Sequence, residues 1–541
     1  MHLYVQDTAL KGEDSQNLVD LAVRYGLEGL ILTLSADGSM SDEKKTTISR
    51  RMKEKRIPLI ALRLSWNRGE NVSLKPLIQR AVETGKDLDC ETLILGINGF
   101  FMENSDSEVE GFVRGLEETL RHMKGSGSRL LLLLEGPITQ QDVYRITQSI
   151  PSDQWGISFD PAQALWYGID PVHELTQLHP RVKQIVLSDI RCTPGDCRMG
   201  KGIVDFGSIA EAITRFPSVE SFVLAGPATL PEIVGRDASY ARANFPFLKN
   251  PVRWPVFGAM TYEFPYTEGK LEDFIALLKR NKIEYIQVGK ALLDELVAHP
   301  ERVLSIKNHL EKEGIYFVGV AAYKNLVARD PEKLRKNIEL MKMYLELAPH
   351  LGTSVVATET GTFNLDHDFR PSPKNWTAEA WKELRKTLDI LVPVAEKNHS
   401  CLALEGYVNN ILATLPQISR ILAEYPTDAI QLVSDPCNFL HSRLLPVQLQ
   451  ITENFTHWFE DRLILAHIKD VNPSGAEKGT PEYGEGVFNL DRYLQFLAEK
   501  RPDLPLVLEH LPHEHMPTVM ERVLRKIEEL KLHPLQSQGG I

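Results

Sequence analysis

Short apolar runs punctuate this chain, each bounded by turn residues, and longer segments with apolar positions every three or four residues separate them. A short β-branched or leucine-rich run reads as a buried strand, and the 3.6-residue period reads as an amphipathic helix. In the first half the runs fall at 3–5, 29–34, 58–64, 92–97, 129–135, 156–160, 184–189 and 221–224. Helical periodicity fills 15–25, 74–85, 108–123 and 209–216 between them. Eight strands alternating with helices predict a parallel sheet, and eight strands close a barrel. The second half repeats the programme, with runs at 256–260, 285–288, 316–320, 354–358, 402–405, 431–435, 463–470 and 506–509. Its helical segments include 271–280, 331–347, 378–398, 418–424 and 517–530.

Between the halves the pattern breaks. Residues 245–255 carry Pro246, Pro251 and Pro255 and have no helical period, which marks a domain boundary. The expected fold is therefore α/β, two tandem (β/α)8 barrels, over residues 1–247 and 252–532. The polar, glycine-rich end, 533–541, reads as a flexible tail. The long polar stretch 360–376 follows the fourth strand of the second half, where a lid over the barrel mouth would sit.

Four strands of the second half each end in a side chain able to hold a metal: Glu405, Asp435, His467 and Glu509, separated by 30, 32 and 42 residues. Parallel barrel strands all open onto one face, so the four converge there. Two Glu, one Asp and one His make a hard-to-borderline divalent site. The first half aligns in outline, Leu134-Glu135-Gly136 with Leu404-Glu405-Gly406 and Phe159-Asp160-Pro161 with Ser434-Asp435-Pro436. It has Val186 in place of His467 and Ala225 in place of Glu509, which predicts a degenerate, non-catalytic first barrel. Within the second half, Lys469 stands to meet a substrate oxygen or pair with Asp470, and His513 stands to line the pocket mouth. Glu359, ending the fourth strand, is a further candidate substrate contact.

Composition narrows the functional class. The 541 residues are 43% hydrophobic and 25% charged, as in a soluble globular protein. A formal charge of −12 argues against nucleic acid or an anionic membrane surface as partner. Five scattered cysteines, without metal spacing, suggest a reducing, cytoplasmic setting, and the pair Cys192 and Cys197 reads as part of a loop. The N-terminus lacks the pattern of a signal peptide, and the longest apolar run, 130–134, is far too short to span a bilayer.

The strand-final Glu405, the Asp435-Pro436 pair, the run His467-Ile468-Lys469-Asp470, the Gly484-Glu485-Gly486 loop and the strand-final Glu509 together resemble the xylose-isomerase-like superfamily of barrels, in its sugar phosphate isomerase/epimerase branch. That resemblance implies one Mn²⁺, Mg²⁺ or Co²⁺ held by Glu405, Asp435, His467 and Glu509. It also implies that Glu405 and Glu509 move the proton. One departure is Asn438, a candidate substrate contact that stands where many relatives carry a histidine with a role in gripping the substrate or a second metal. The implied activity is isomerisation or epimerisation of a sugar or polyol by proton transfer α to a carbonyl. The alternatives are a dehydratase or lyase on a keto-polyol or keto-glycoside, which shares the first step, and a non-catalytic sugar-binding protein. An apurinic endonuclease would need more histidine ligands than 471–473 and its surroundings offer.

Overall fold

In the computed structural model, residues 1–7, 15–67, 74–98, 106–123, 128–134, 154–226, 230–248 and 254–532 are described. The chain divides into two compact units, the first built mainly from residues before 253 and the second mainly from those after. Each unit holds a closed barrel of eight parallel strands. In the first, the strands are His2–Gln6, Leu30–Thr33, Leu59–Asn67, Thr92–Asn98, Arg129–Leu134, Trp155–Phe159, Val182–Leu187 and Ser221–Leu224. In the second they are Phe257–Met260, Tyr285–Val288, Tyr316–Ala321, Val355–Glu359, Cys401–Glu405, Ile430–Ser434, Leu463–Ile468 and Leu506–Leu508. The segment holding Cys192 is not a simple loop: Asp189–Ile190 and Pro194–Cys197 form a small antiparallel ribbon. Among the described residues, no helix is long and apolar enough to cross a membrane. Residues 249–253 of the boundary and the tail 533–541 lie outside the described set.

The helices of the second unit begin where local chemistry permits. Asp330 precedes the helix Pro331–Leu347 and accepts hydrogen bonds from the Glu332 and Lys333 amides, with Pro331 at the first helical position. Thr377 caps Ala378–Lys397 through the Ala380 amide. Apolar faces of these helices pack on strands buried along their whole length, such as Ile430–Ser434 and Leu463–Ile468. Strands covered on both faces read as continuous apolar runs rather than alternating ones.

After the seventh strand of each barrel an aspartate ties the following loop to the sheet. Asp470 accepts from the amides of Val471 (2.8 Å), Gly484 (2.9 Å), Gly486 (3.0 Å) and Phe488 (2.9 Å). Asp189 does the same for Ile190, Gly200, Gly202 and Val204. A Cβ at residue 486 would lie 2.3 Å from Asp470 Oδ1, and one at residue 202 would lie 2.1 Å from Asp189 Oδ1, so both positions require glycine.

Strand register matches the two barrel interiors position by position. Leu224 pairs with Val5, and Gln6 with Ile31; in the second barrel Leu508 pairs with Ala259, and Met260 with Gln287. Ile31 is thus the counterpart of Gln287. Val223 pairs with Val186 as Val507 pairs with His467, which makes Val186 the counterpart of His467 and Ala225 that of Glu509. Leu133 pairs with Ser158, two residues before Asp160. Leu404 pairs with Leu432, and the next step along places Glu405 beside Val433, two residues before Asp435. Glu405 therefore corresponds to Leu133 rather than to Glu135, which lies outside the described residues. Ile31, Leu133 and Val186 pack in one apolar group with Ala61, Ile94, Leu131 and Val223, and Ala225 rests against it. Of the four donor positions, only the one at Asp160 keeps a carboxylate in the first barrel.

The aspartate clasps yield a direct test. Asp470→Ala leaves four amides without their acceptor and is expected to destabilise the second barrel by at least about 3 kcal/mol in urea unfolding. Asp470→Asn keeps one acceptor oxygen and should fall between that variant and wild type. A wild-type unfolding midpoint for Asp470→Ala would contradict the clasp.

Candidate metal centre

The second barrel brings the four strand-end side chains together. Glu405 is the last residue of the fifth strand, Asp435 follows the sixth, His467 lies in the seventh and Glu509 follows the eighth. All four are buried, and each offers one donor atom within 4.8 Å of the others. His467 Nδ1 lies 3.4 Å from Glu509 Oε1, 3.5 Å from Glu405 Oε2 and 3.8 Å from Asp435 Oδ2. The other ring nitrogen, Nε2, meets Gln287 Oε1 at 3.0 Å. An Nε2–H donated to that carbonyl turns Nδ1 toward the three carboxylates, as a donor while the ring is charged and as a lone pair once it is neutral.

Glu405 is held from both sides. Asn438 donates to its Oε1 at 2.6 Å, and the Tyr323 hydroxyl donates to its Oε2 at 2.7 Å. Lys469 Nζ contacts Asp435 Oδ2 and lies 2.8 Å from Glu509 Oε1 and 3.7 Å from Glu405 Oε1. Asp470 is taken up by its loop amides, so the lysine's partners are the carboxylates of the centre. Asn438, the remaining candidate substrate contact, thus meets a carboxylate of the centre.

Charge explains the protonation pattern. Burial works to raise the Glu405 carboxyl, but the His467 and Lys469 charges hold it down at about 2. Glu509 is driven well below its usual range by the same two cations against its own burial. Asp435 goes the other way, because burial outweighs Lys469 there. Burial pulls His467 down, yet Glu509 and Glu405 hold it well above the ordinary imidazole value. Burial pushes the Tyr323 hydroxyl far up, and the Glu405 and Glu509 charges add to it.

The donor set fits a divalent cation. Tetrahedral donors at about 2.1 Å from an ion stand about 3.4 Å apart, close to the spacing around His467 Nδ1. Asp435 Oδ1 and Oδ2, His467 Nδ1 and Glu509 Oε1 are buried without an aligned hydrogen bond. Of these, Asp435 Oδ2, His467 Nδ1 and Glu509 Oε1 lie together, as atoms that a cation would satisfy.

The remaining sequence candidates fall on either side of this centre. Glu359 ends the fourth strand in register with Glu405, and Asn410 Nδ2 donates to its Oε2. Burial and the Glu405 charge push its carboxyl up to about 8. His513, the candidate at the pocket mouth, has its Nδ1 3.2 Å from Glu514 and its ring packed on Phe264. Sequence reasoning missed Gln287, Tyr323 and Asn410, which position His467, Glu405 and Glu359. Gln287 and Tyr323 come from the second and third strands, whose ends carry no metal-type residue. A polar Gln inside the otherwise apolar run 285–288 was the one available signal. The loop 360–376 is pinned at the mouth by Asn375, which accepts from the Phe363 amide at 2.7 Å and donates to the Asn409 carbonyl at 2.7 Å.

Two measurements follow from this geometry. His467→Ala should abolish most Mn²⁺ binding in calorimetry, and Gln287→Leu should weaken it by about 10–100-fold through loss of ring orientation. Affinity should fall as pH falls, starting from above the ordinary imidazole range, because His467 is held protonated there by its carboxylates and must lose its proton to become a ligand. For Glu359, the metal-free folded state keeps a proton up to about pH 8, against 4.5 for the free side chain. The stability from that proton is fully present below the lower value and is lost as pH rises through the upper one. Glu359→Gln removes the loss, so its melting temperature should gain on wild type from about pH 5 to pH 9.

No curated protein matches the chain. Among solved structures, the probable 3-DHS dehydratase involved in petrobactin synthesis from Bacillus anthracis is 14% identical, with a TM-score of 0.36 over 44% of this chain and 97% of that one. A sugar phosphate isomerase/epimerase from Parabacteroides distasonis is 12% identical, with a TM-score of 0.38 over 46% and 96%. D-psicose 3-epimerase with D-tagatose, from Clostridium cellulolyticum H10, is 12% identical, with a TM-score of 0.37 over 45% and 99%. A family model does match residues 264–530, and its description is a xylose isomerase-like TIM barrel. With the closed eight-stranded barrel and its buried donor set, that match makes the second barrel a member of the xylose isomerase-like TIM barrel family.

Proposed function

We propose that the second barrel is a divalent-metal-dependent isomerase or epimerase of a sugar or related polyol, working by proton transfer α to a carbonyl through an enediolate. The observation that carries this reading is the convergence of Glu405, Asp435, His467 and Glu509 from four successive strand ends onto one buried point. Those four residues would hold the cation, with Mn²⁺, Mg²⁺ or Co²⁺ suited to such oxygen-rich ligands. The chemistry a bound cation supplies is polarisation of a carbonyl and stabilisation of negative charge on the neighbouring oxygens.

The chain's own residues divide the remaining work. Both oxygens of Glu405 accept hydrogen bonds, from Asn438 and Tyr323, which fix its orientation and occupy a lone pair on each. Glu509 Oε1 has no aligned hydrogen bond and so keeps a lone pair for a proton. Glu509 is therefore the base of the first transfer, and Glu405, three strands away around the ring of eight, flanks the substrate from another side. Lys469, buried among the carboxylates, supplies a donor for a substrate oxygen. Glu359 and Asn410 offer a hydroxyl contact on the fourth-strand side.

One observation favours a second reading, elimination of water from a keto-polyol. Glu359 stands outside the donor set, and burial pushes its carboxyl up toward the protonated form that a general acid for a departing hydroxyl needs.

The two readings separate in deuterium oxide. Keto-sugars and keto-polyols are incubated with Mn²⁺-loaded protein, and the products are followed by NMR and mass spectrometry. Isomerisation or epimerisation should introduce deuterium α to the carbonyl without loss of water. Glu509→Gln should lower that exchange by at least about 100-fold while retaining some metal. Loss of water from the same compounds identifies the lyase, and the absence of any exchange across the panel overturns both.

A further inference from the structure

We propose that Lys469 is a displaceable internal counter-ion: its ammonium holds Asp435 Oδ2 and Glu509 Oε1 while the centre is metal-free, and releases both oxygens when a metal enters. The proposal rests on the metal-centre reading above.

The geometry places two cation sites on the same oxygens. Asp435 Oδ2 and Glu509 Oε1 are the atoms nearest His467 Nδ1 on their side chains, at 3.8 and 3.4 Å, and so belong to the donor set. They are also the atoms that Lys469 Nζ touches. A dication bonded to either oxygen would lie no more than about 5 Å from that ammonium, the sum of a metal–oxygen bond and the observed contact. Like charges so close, in a site without surrounding solvent, repel strongly. Neither oxygen has an aligned hydrogen bond despite the lysine's proximity. The ammonium thus balances charge without saturating the lone pairs, as a replaceable partner would.

Two further features support displacement by the side chain alone. Asp470 fixes the backbone next to Lys469 through four amides, so the strand end stays put while the four-carbon stem turns. In the first barrel the counterpart of Lys469 is Ser188, which donates to Asp160 Oδ1 at 2.7 Å. There the other donor positions hold Leu133, Val186 and Ala225. Where two of the three carboxylates are absent, so is the ammonium.

The test uses the full chain, stripped of metal with chelator, and Mn²⁺ as probe. Calorimetry gives the Mn²⁺ affinity of wild type, Lys469→Met, Lys469→Ser and Lys469→Arg, and thermal melts give metal-free and Mn²⁺-saturated stability. If the lysine is seated in nine of ten metal-free molecules, its removal exposes the competent state and tightens binding by at least about tenfold. The Met and Ser variants should also melt lower than wild type without metal and recover when Mn²⁺ saturates them. The Lys469→Arg variant, which keeps the charge, should bind Mn²⁺ no more tightly than wild type. Should Lys469→Met fold only with Mn²⁺, Lys469→Ser carries a hydroxyl as in the first barrel, and a metal-dependent fold in both supports the counter-ion role. If wild type binds Mn²⁺ and the folded Met and Ser variants bind equally or more weakly, displacement is overturned while the metal centre stands. If neither wild type nor any variant binds Mn²⁺, the metal-centre reading and the proposal fall together.

Discussion

The second barrel is organised around an electrostatic demand. Glu405, Asp435 and Glu509 stand together in a buried site, where isolated negative charges are strongly disfavoured. His467 and Lys469 answer that demand in the protein itself, each lying between carboxylates. The rest of the mouth follows from holding this group in register. Gln287 sets the imidazole, Tyr323 and Asn438 set Glu405, and the Asp470 clasp fixes the strand end that carries both cations. The barrel supplies the convergence, because parallel strands deliver their last residues to one ring.

Much of this was legible in the sequence. Each barrel strand is a short apolar run, and the chemically informative residue is the polar one on which the run ends, as with Leu404-Glu405 and Leu508-Glu509. Other parts were not legible for identifiable reasons. Matching Leu134-Glu135-Gly136 to Leu404-Glu405-Gly406 relied on likeness of residues, whereas strand position is set by pairing with neighbours, and the pairing slides the match by two. Gln287 and Tyr323 act through His467 and Glu405 from strands that are remote in sequence, 180 and 82 residues away. His513 has the residue type of a pocket contact, and its contacts with Glu514 and Phe264 could not be read from the sequence alone.

The two loop clasps make a useful contrast with the two interiors. Asp189 and Asp470 bind the same four amide positions, although the chemistry beneath them differs. The loop after the seventh strand is therefore a property of the architecture and owes nothing to the donor set. It gives Lys469 a fixed anchor from which to reach its partners.

The hydrocarbon interior of the first barrel has a consequence for substitution. Leu133, Val186, Ile31 and Ala225 occupy the places of three donors and one orienting amide, and they close over one another. Reintroducing any one polar group alone would bury it with nothing to bond, a penalty of roughly 1–3 kcal/mol. Only when the whole set is present does the group sustain itself. Exchange of donors for hydrocarbon is thus a ratchet: once the set is broken, each further apolar replacement is tolerated, and each single step back is opposed. A barrel with such an interior gains no metal site through any single substitution.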